Sequence, residues 1–306
     1  MKTQVNLAGI IMKNPVMTAS GTAGFGKEIS DFININDLGA FIPKTVTLKP
    51  REGNPPHRIC ETDAGMINSI GLQNKGLDYF IDEELPFLYQ FETPIIVNIS
   101  ANSISDFVEI TEKVSNKKIR GFEINVSCPN VEGEGMAFGT DEKATYDVVK
   151  AIKSVTEKPL IVKLTPNVTD IVKIAKSAYE AGANALSMIN TVLGMAIDVK
   201  TREPKIHGAG KYIGGLSGPC IKPIGIRCVY QVYKSEIPLP IVGIGRITNG
   251  EDAIEYILAG ATAVGVGTAN FKNPDATIRV IKGIEKYMEK NKIEDINELR
   301  GRIRTI

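Results

Sequence analysis

The stretch Gly121-Phe122-Glu123-Ile124-Asn125-Val126-Ser127-Cys128-Pro129-Asn130 joins a short apolar run to a polar loop. Residues 121–126 have the composition of a buried strand. Cys128, whose unperturbed pKa lies near ~8.5, can take or give a proton. The two flanking asparagines offer amide donors and acceptors, which suit a small planar ligand. A lone cysteine at a strand end is more often a small buried residue, so the rest of the chain decides between a core and a catalytic role.

Seven further apolar runs resemble this one, and helical segments separate them. The predicted strands are residues 16–19, 41–45, 95–99, 121–126, 160–164, 185–189, 241–243 and 263–266. The clearest predicted helices are residues 103–115, 141–156, 170–181, 249–259 and 275–291. Each of the first four has a capping residue at one end. Eight strand–helix units in a chain of 306 residues indicate an α/β fold, the (β/α)8 TIM barrel. The alternative is an open doubly wound sheet, which usually has fewer strands.

The rest of the organisation follows from loops and composition. No linker divides the chain, so we predict one domain over residues 1–306, with residues 4–12 forming a hairpin that closes the bottom of the barrel. Two long loops, residues 46–74 and 190–217, follow strands two and six. Loops of this size usually carry function or small elements of their own. Both leave the carboxyl ends of strands, where barrel enzymes build their sites.

Composition excludes several functional classes. The 36 Lys and Arg residues nearly balance the 35 Asp and Glu residues, so neither a nucleic acid nor a membrane surface is an expected partner. The four cysteines form no C-x-x-C pair, so no metal site is expected in this chain. Few, scattered cysteines and the lack of an apolar signal or membrane-spanning run favour the cytoplasm.

Polar residues cluster where the predicted barrel strands end. They are Ser20, Lys44, Thr45, Asn98, Asn125, Lys163, Asn190 and Thr191. A lysine inside a barrel strand needs a partner, because burial of an unpaired ammonium group is costly. One such lysine could form a structural ion pair. Two lysines beside three asparagines favour a ligand site instead.

Glycine-rich turns follow the last strands of the predicted barrel. Gly245-Arg246 and Gly267-Thr268 come after strands seven and eight, and Gly218 precedes a helix. Such turns let backbone N–H groups reach phosphate oxygens, and barrel phosphate sites commonly lie there. No G-x-G-x-x-G fingerprint follows strand one, which disfavours a Rossmann dinucleotide site. A phosphate-bearing cofactor, buried lysines and an acid–base cysteine suggest an FMN enzyme, with Lys163 near the flavin N1 edge.

The sequence resembles the class 1 dihydroorotate dehydrogenases along nearly its whole length. The shared stretches are Ala19-Ser20-Gly21, Lys44-Thr45, Asn68-Ser69-Ile70-Gly71-Leu72-Gln73-Asn74, Asn125 to Asn130, Val162-Lys163-Leu164, Ile189-Asn190-Thr191, Gly214-Gly215-Leu216-Ser217-Gly218 and Gly267-Thr268. Met136-Ala137-Phe138-Gly139-Thr140 is similar to the NAD-linked subclass, class 1B, whereas the fumarate-linked subclass differs there.

The resemblance implies a role for each matching residue. Cys128 would be the base that removes a proton from C5 of dihydroorotate while a hydride leaves C6 for the flavin. The residues implied to hold FMN are Ser20, Lys44, Thr45, Asn98, Asn125, Lys163, Ile189, Gly218, Gly245, Arg246, Gly267 and Thr268. Those implied to hold the substrate are Lys44, Asn68, Ser69, Ile70, Gly71, Leu72, Asn125, Asn130, Asn190 and Thr191.

The family usually has a glycine where Arg246 stands, so its backbone would still serve the phosphate while its side chain adds charge. Glu123 is a titratable neighbour of Cys128, and we expect its side chain on the opposite face of the strand.

The resemblance also implies a partner. It implies a separate electron-transfer subunit with FAD and a [2Fe–2S] cluster, in a heterotetramer around a homodimer of this chain. Three other functions compete with NAD-linked dihydroorotate oxidation: a fumarate-linked dihydroorotate dehydrogenase, an enzyme similar to the tRNA-dihydrouridine synthases, and a non-catalytic scaffold that keeps the fold. The retained cysteine, lysines and asparagines disfavour the scaffold. The tRNA-modifying function would require a basic RNA-binding surface, which the near-zero net charge disfavours.

Overall fold

The computed structural model describes residues 1–127, 137–207 and 212–304. Cys128, Asn130 and Met136 therefore lie outside the described residues. The strands, in chain order, are β1 (Val5–Leu7), β2 (Ile10–Met12), β3 (Val16–Thr18), β4 (Ile59–Thr62), β5 (Gly65–Asn68), β6 (Ile96–Ile99), β7 (Gly121–Asn125), β8 (Leu160–Leu164), β9 (Ala185–Met188), β10 (Val192–Gly194), β11 (Ile197–Asp198), β12 (Glu203–Pro204), β13 (Gly214–Ser217), β14 (Ile241–Ile244) and β15 (Ala263–Val266).

Helices separate the long strands. They are α1 (Lys27–Ser30), α2 (Leu77–Tyr79), α3 (Leu85–Leu88), α4 (Ile104–Ser115), α5 (Glu142–Lys153), α6 (Ile171–Glu180), α7 (Lys222–Lys234), α8 (Gly250–Ala259), α9 (Ala269–Lys272) and α10 (Ala276–Lys290). Short 3-10 helices occupy Ile35–Asp37, Phe138–Thr140, Pro219–Ile221 and Ile296–Leu299, and a π-helical turn occupies Phe80–Glu84. Among the described residues, no helix combines the length and apolarity needed to cross a membrane.

A curled parallel sheet forms the centre of the molecule. Seven strands lie in the order β3-β15-β14-β9-β8-β7-β6. Residues 40–46 fill the space between the two edge strands through isolated bridges: Ala40 pairs with Met17, and Phe41 and Val46 pair with Ile95 and Ile99. The strand residues are buried throughout, as expected of parallel strands covered by helices. These contacts confirm the predicted α/β barrel architecture.

The second predicted strand, residues 41–45, is wrong as a regular strand. Pro43 has no N–H group and cannot donate to a neighbouring strand. The N–H of Ile42 donates to Thr18 Oγ1 at 2.9 Å, and the N–H of Lys44 donates to Gly24 O at 2.9 Å. Because these donors turn away from a regular ladder, the segment closes the barrel with bridges alone.

The predicted helices are confirmed, with ends that differ by a few residues. Ser103, Asp141 and Asn249 each accept a hydrogen bond from a backbone N–H in the first turn of the following helix. Such N-caps satisfy donors that the first helical turn leaves free. Gly182 and Gly260 follow α6 and α8 in the left-handed region, with φ of 103° and 121°.

The N-terminal hairpin is confirmed as well. β1 pairs antiparallel with β2, with Val5 opposite Met12. The Ile10 side chain packs against Gly121, the first residue of β7. The hairpin therefore covers the amino-terminal end of the barrel strands, opposite the end where the polar residues gather.

The two long loops join into one covering sheet. β4 and β5 come from the first loop, β10 and β13 come from the second, and the strand order is β10-β13-β5-β4. The contact between the loops pairs Asn68 with Gly215. We call this four-stranded sheet the roof. It has a small core of its own, formed by Cys60, Ile67 and Ile206.

Candidate active site

Strand register brings polar side chains together inside the barrel. Asn98 pairs with Glu123, Asn125 with Lys163, and Lys163 with Ser187 across β6, β7, β8 and β9. Paired residues of neighbouring strands project to the same side of a sheet. All five side chains are buried. We call this set the polar floor.

Glu123 lies at the centre of the polar floor. Its expected position on the face opposite Cys128 stays a prediction, because Cys128 lies outside the described residues. Glu123 and Asn125 are two residues apart in one strand and therefore point the same way. The Glu123 carboxylate is fully buried and accepts hydrogen bonds from Asn98 Nδ2 at 2.5 Å and Ser187 Oγ at 2.7 Å. Alternation along β7 was the signal that could have placed it.

Lys163 has two partners in this buried region. Its Nζ lies 3.6 Å from Glu123 Oε2 and donates to Ser20 Oγ at 3.0 Å. The structural ion pair considered for a barrel lysine is therefore present, beside a residue predicted to bind the cofactor. The Lys163 ammonium group carries three N–H donors. It can therefore keep these two partners and still donate to a bound ligand.

Asn125 and Asn190 meet at the base of the loop that leads to Cys128. Asn190 Nδ2 donates to Asn125 Oδ1 at 3.2 Å and to Ser127 Oγ at 2.9 Å. The Ser127 N–H also donates to Asn125 Oδ1, at 3.2 Å. These bonds fix the two asparagines and the last described residue before the cysteine.

Asn167 supports the neighbouring segment and was missed by the sequence analysis. Its Nδ2 donates to Thr191 O at 3.0 Å, and its Oδ1 accepts from the Leu193 N–H at 2.9 Å. The side chain therefore holds the chain between β9 and β10. A single asparagine in a loop gives no sequence signal for this role.

Lys44 stands at the margin of the site, beside a cleft of about 970 Å³ that Gly21, Glu28 and Asn270 also line. Burial lowers the pKa of the Lys44 ammonium; the Glu28 carboxylate opposes this shift and the Arg58 cation adds to it. The adjacent residue Thr45 is buried. Lys44 is thus a half-buried cation at the edge of the barrel mouth.

The segment 68–72, predicted to bind substrate, lies in the roof and beyond its edge. Asn68 Nδ2 donates to Gly215 O at 3.2 Å. Asn54 donates through Nδ2 to both Ser69 oxygens, O at 2.9 Å and Oγ at 2.8 Å, and through its N–H to Ile70 O at 2.9 Å. Leu72, with φ of 55°, accepts from Asn74 Nδ2 at 2.7 Å. Asn54 and Asn74 therefore shape this segment, although the sequence analysis assigned neither a role.

Packing explains one of the two glycine turns. Tyr256 is buried, its hydroxyl donates to Gly245 O at 3.0 Å, and a Cβ atom on Gly245 would lie 2.7 Å from that hydroxyl oxygen. Gly245 also has φ of 139°, which side chains rarely adopt. A Cβ atom on Gly267 would meet only ordinary contacts, the nearest at 3.5 Å. Among described atoms, neighbour packing thus requires glycine at 245 but leaves space at 267.

Arg246 adopts the left-handed region at φ of 50°, and its side chain is anchored. Its Nη1 donates to Asp252 Oδ1 at 3.1 Å, while its buried Nε has no hydrogen-bond partner among the described residues. Asp252 also accepts from Lys222 Nζ at 2.9 Å and from the N–H and hydroxyl of Thr248. Burial raises the pKa of Asp252, but the hydrogen bonds from Lys222 and Thr248 outweigh it and lower that pKa overall. We call Arg246, Asp252 and Lys222 the acidic anchor.

The second glycine turn lies next to Gly218. Thr268 Oγ1 donates to Ser217 Oγ at 2.8 Å, which joins the end of β13 to the segment after β15. The predicted cofactor residues Gly218 and Thr268 are thereby brought together, as are Ser20 and Lys163. Cys128 and Asn130 stay predictions, because they lie outside the described residues.

Comparison with known proteins decides the family. The family profile described as dihydroorotate dehydrogenase matches residues 2–288. The chain belongs to the dihydroorotate dehydrogenase family. It is 53% identical over 298 residues to the dihydroorotate dehydrogenase B (NAD(+)) catalytic subunit of Alkaliphilus metalliredigens, covering 97% of each chain. It is 50% identical to the protein of the same description from Thermoanaerobacter sp. strain X514, covering 99% of each.

A solved structure of the dihydroorotate dehydrogenase family has the same fold. It is the DHODH of Eimeria tenella in complex with ferulenol, which superposes with a TM-score of 0.78 at 25% identity. The match covers 98% of this chain and 88% of the other. This chain and that solved structure therefore share one overall fold.

Proposed function

We propose that this chain is the FMN-binding catalytic subunit of an NAD-linked dihydroorotate dehydrogenase, which oxidises dihydroorotate to orotate in pyrimidine biosynthesis. The observation that carries the proposal is the polar floor beneath the roof, in a chain of this family. The chain is 50–53% identical to NAD(+)-linked catalytic subunits over nearly its whole length. This similarity favours NAD over fumarate as the electron acceptor. We propose that residues 1–306 form one such barrel domain and that it acts in the cytoplasm, which the scattered cysteines favour.

The residues present fit FMN. Asn98 Oδ1 is buried and has no hydrogen-bond partner among the described residues, so a ligand donor could satisfy it. Gly267 leaves space, and Arg246 and Lys163 supply positive charge for a phosphate and an electron-rich ring. The residues that would hold FMN are Ser20, Lys44, Thr45, Asn98, Asn125, Lys163, Ile189, Gly218, Gly245, Arg246, Gly267 and Thr268. When bound, FMN supplies the capacity to take up two electrons.

The remaining polar residues would hold the substrate. They are Lys44, Asn68, Ser69, Ile70, Gly71, Leu72, Asn125, Asn130, Asn190 and Thr191. Their amides and cation match a ring with carbonyl groups, N–H groups and a carboxylate. Cys128 would accept the C5 proton, because a thiol with pKa near ~8.5 is partly ionised near neutral pH and a serine hydroxyl is not.

Stopped-flow spectroscopy under anaerobic conditions tests this function. We expect the purified chain to show a flavin spectrum that dihydroorotate bleaches. Cys128→Ser should slow bleaching roughly 10²–10⁴-fold, the range for loss of acid–base catalysis. Reoxidation by an artificial acceptor should be nearly unchanged. Bleaching of the serine variant at the wild-type rate would rule out Cys128 as the base, and absence of flavin would overturn the whole proposal.

The partner can be tested with the same preparation. We propose an electron-transfer subunit carrying FAD and a [2Fe–2S] cluster, bound around a homodimer of this chain, since the close relatives are described as catalytic subunits. The chain alone should then oxidise dihydroorotate with artificial acceptors and reduce NAD poorly. Efficient NAD reduction by the FMN-only chain, or a monomer in light scattering, would contradict this arrangement.

A further inference from the structure

Glu123 is a buried charge to which the proposed reaction gives no role. Its carboxylate is fully buried, and its described partners are Asn98, Ser187 and Lys163. An isolated carboxylate in such surroundings is strongly disfavoured unless it is paired and hydrogen-bonded. Each of its partners belongs to the polar floor, so its position is set by the site and not by the outer helices.

The bond to Glu123 fixes the direction of the Asn98 amide. A carboxylate accepts hydrogen bonds and does not donate them, so Asn98 must present its NH₂ group to Glu123. The carbonyl Oδ1 then points away, where it is buried and unpartnered among the described residues. Asn98 is thereby held as an acceptor toward whatever donor enters the site.

The same carboxylate acts on Lys163. The ammonium group lies between Glu123 Oε2 at 3.6 Å and Ser20 Oγ at 3.0 Å, with 6% of the side chain exposed. Water screens a pair this deep only weakly. The negative charge of Glu123 therefore offsets part of the positive charge that Lys163 presents to the barrel mouth.

We propose that Glu123 is a positioning residue for the cofactor, which holds the Asn98 amide as an acceptor and lowers the effective positive charge of Lys163. The inference rests on the proposed function and describes how its FMN site is tuned. It predicts opposite effects of the two partners on the flavin. Loss of the lysine should make FMN harder to reduce, and loss of the carboxylate charge should make it easier.

Reduction potentials of the FMN-loaded chain test the first part of the proposal, that Glu123 lowers the effective positive charge of Lys163. Glu123→Gln keeps the size of the side chain and removes the charge, so the potential should become more positive. Lys163→Ala should shift it to more negative values. Ser187→Ala is the matched control, because it removes a Glu123 hydrogen bond and leaves both charges; its potential should match that of the wild type. A potential for Glu123→Gln equal to or below the wild-type value would overturn this part of the proposal.

Binding of FMN to the apoprotein tests the second part of the proposal, that Glu123 positions the Asn98 amide, without a measurement of activity. Glu123→Asp keeps the charge but shortens the reach to Asn98, so the potential should stay and the FMN affinity should fall about 3–10-fold, as for one lost hydrogen bond. This variant also decides the matter if Glu123→Gln does not fold. If Asn98→Ala binds FMN more weakly but Glu123→Asp binds it with wild-type affinity, Asn98 does not need Glu123 to position it. A wild-type chain that binds no FMN would instead refute the proposed function.

Discussion

The polar floor and the acidic anchor each place a buried carboxylate beside the cations of the candidate site, in different surroundings. Glu123 lies on the central strand β7, is fully buried, and has Lys163 as its cation at 3.6 Å. Asp252 lies in the first turn of α8 and holds two cations, Lys222 at 2.9 Å and Arg246 at 3.1 Å.

The difference between the two regions is the access of water. Lys163 is 6% exposed, whereas Lys222 and Arg246 are 17% and 32% exposed. Charges in a dry interior interact strongly and are costly to leave unpaired, while water at the rim takes over part of a lost interaction. More partners at the acidic anchor therefore do not mean a larger stabilisation per partner.

Removal of the buried floor carboxylate should have the largest effect on stability. Glu123→Ala leaves Lys163 without its counter-ion and Asn98 Nδ2 without an acceptor. We expect a loss of roughly 3–5 kcal/mol in the free energy of unfolding of the apoprotein, measured by urea denaturation. Ser187→Ala, the control, removes one hydrogen bond to this carboxylate and should cost roughly 1.5–3 kcal/mol. A loss for Glu123→Ala no larger than that for Asp252→Ala would erase the distinction between the dry polar floor and the more hydrated acidic anchor.

Arg246→Gly separates the backbone of the acidic anchor from its charge. Glycine relieves the left-handed φ of 50°, so the apoprotein should lose little stability. If the guanidinium also meets the FMN phosphate, affinity should fall about ten- to a hundredfold, equivalent to a charged hydrogen bond of roughly 1.5–3 kcal/mol. Titration of the apoprotein with FMN at two salt concentrations measures this. Unchanged affinity would assign the guanidinium to Asp252 alone.

Asp252→Asn tests the charge of the anchor with its shape retained. Charged hydrogen bonds are about twice as strong as neutral ones, so we expect a loss near 1 kcal/mol at neutral pH. The pKa of Asp252 is lowered in the folded state. Its contribution is therefore present above the unfolded value near ~3.9 and disappears as pH falls through the folded value. Denaturation curves of the two proteins should converge below pH ~4, and a constant gap would exclude this linkage.

The outer edge of the acidic anchor should matter least. Glu255 lies 2.6 Å from Lys222 Nζ, but 47% of its side chain is exposed. Exposed ion pairs contribute about 0–1 kcal/mol. Glu255→Gln should leave the thermal midpoint nearly unchanged and should remove any salt dependence of this pair. A loss of stability as large as that of Asp252→Asn would show that Glu255 belongs to the acidic anchor.

The sequence by itself determined the barrel and the approximate positions of five of its helices. Runs of buried β-branched residues, and caps such as Ser103 and Gly260, act within a few residues, so local patterns suffice to predict them. It also placed Lys163, Asn98 and Asn125 at the barrel mouth, because the carboxyl ends of parallel strands meet at one end of a barrel. The segment 41–45 failed as a strand because Pro43 cannot join the ladder on both sides.

The tertiary structure decided which distant groups meet. Glu123 with Lys163, Arg246 with Asp252, and Asn68 with Gly215 are pairs whose members lie far apart in the chain or point in directions that only packing fixes. The two long loops became one roof because β5 and β13 satisfy each other's backbone groups. A buried charge is stable only beside its partner, and strand register, which depends on the whole barrel, selects that partner.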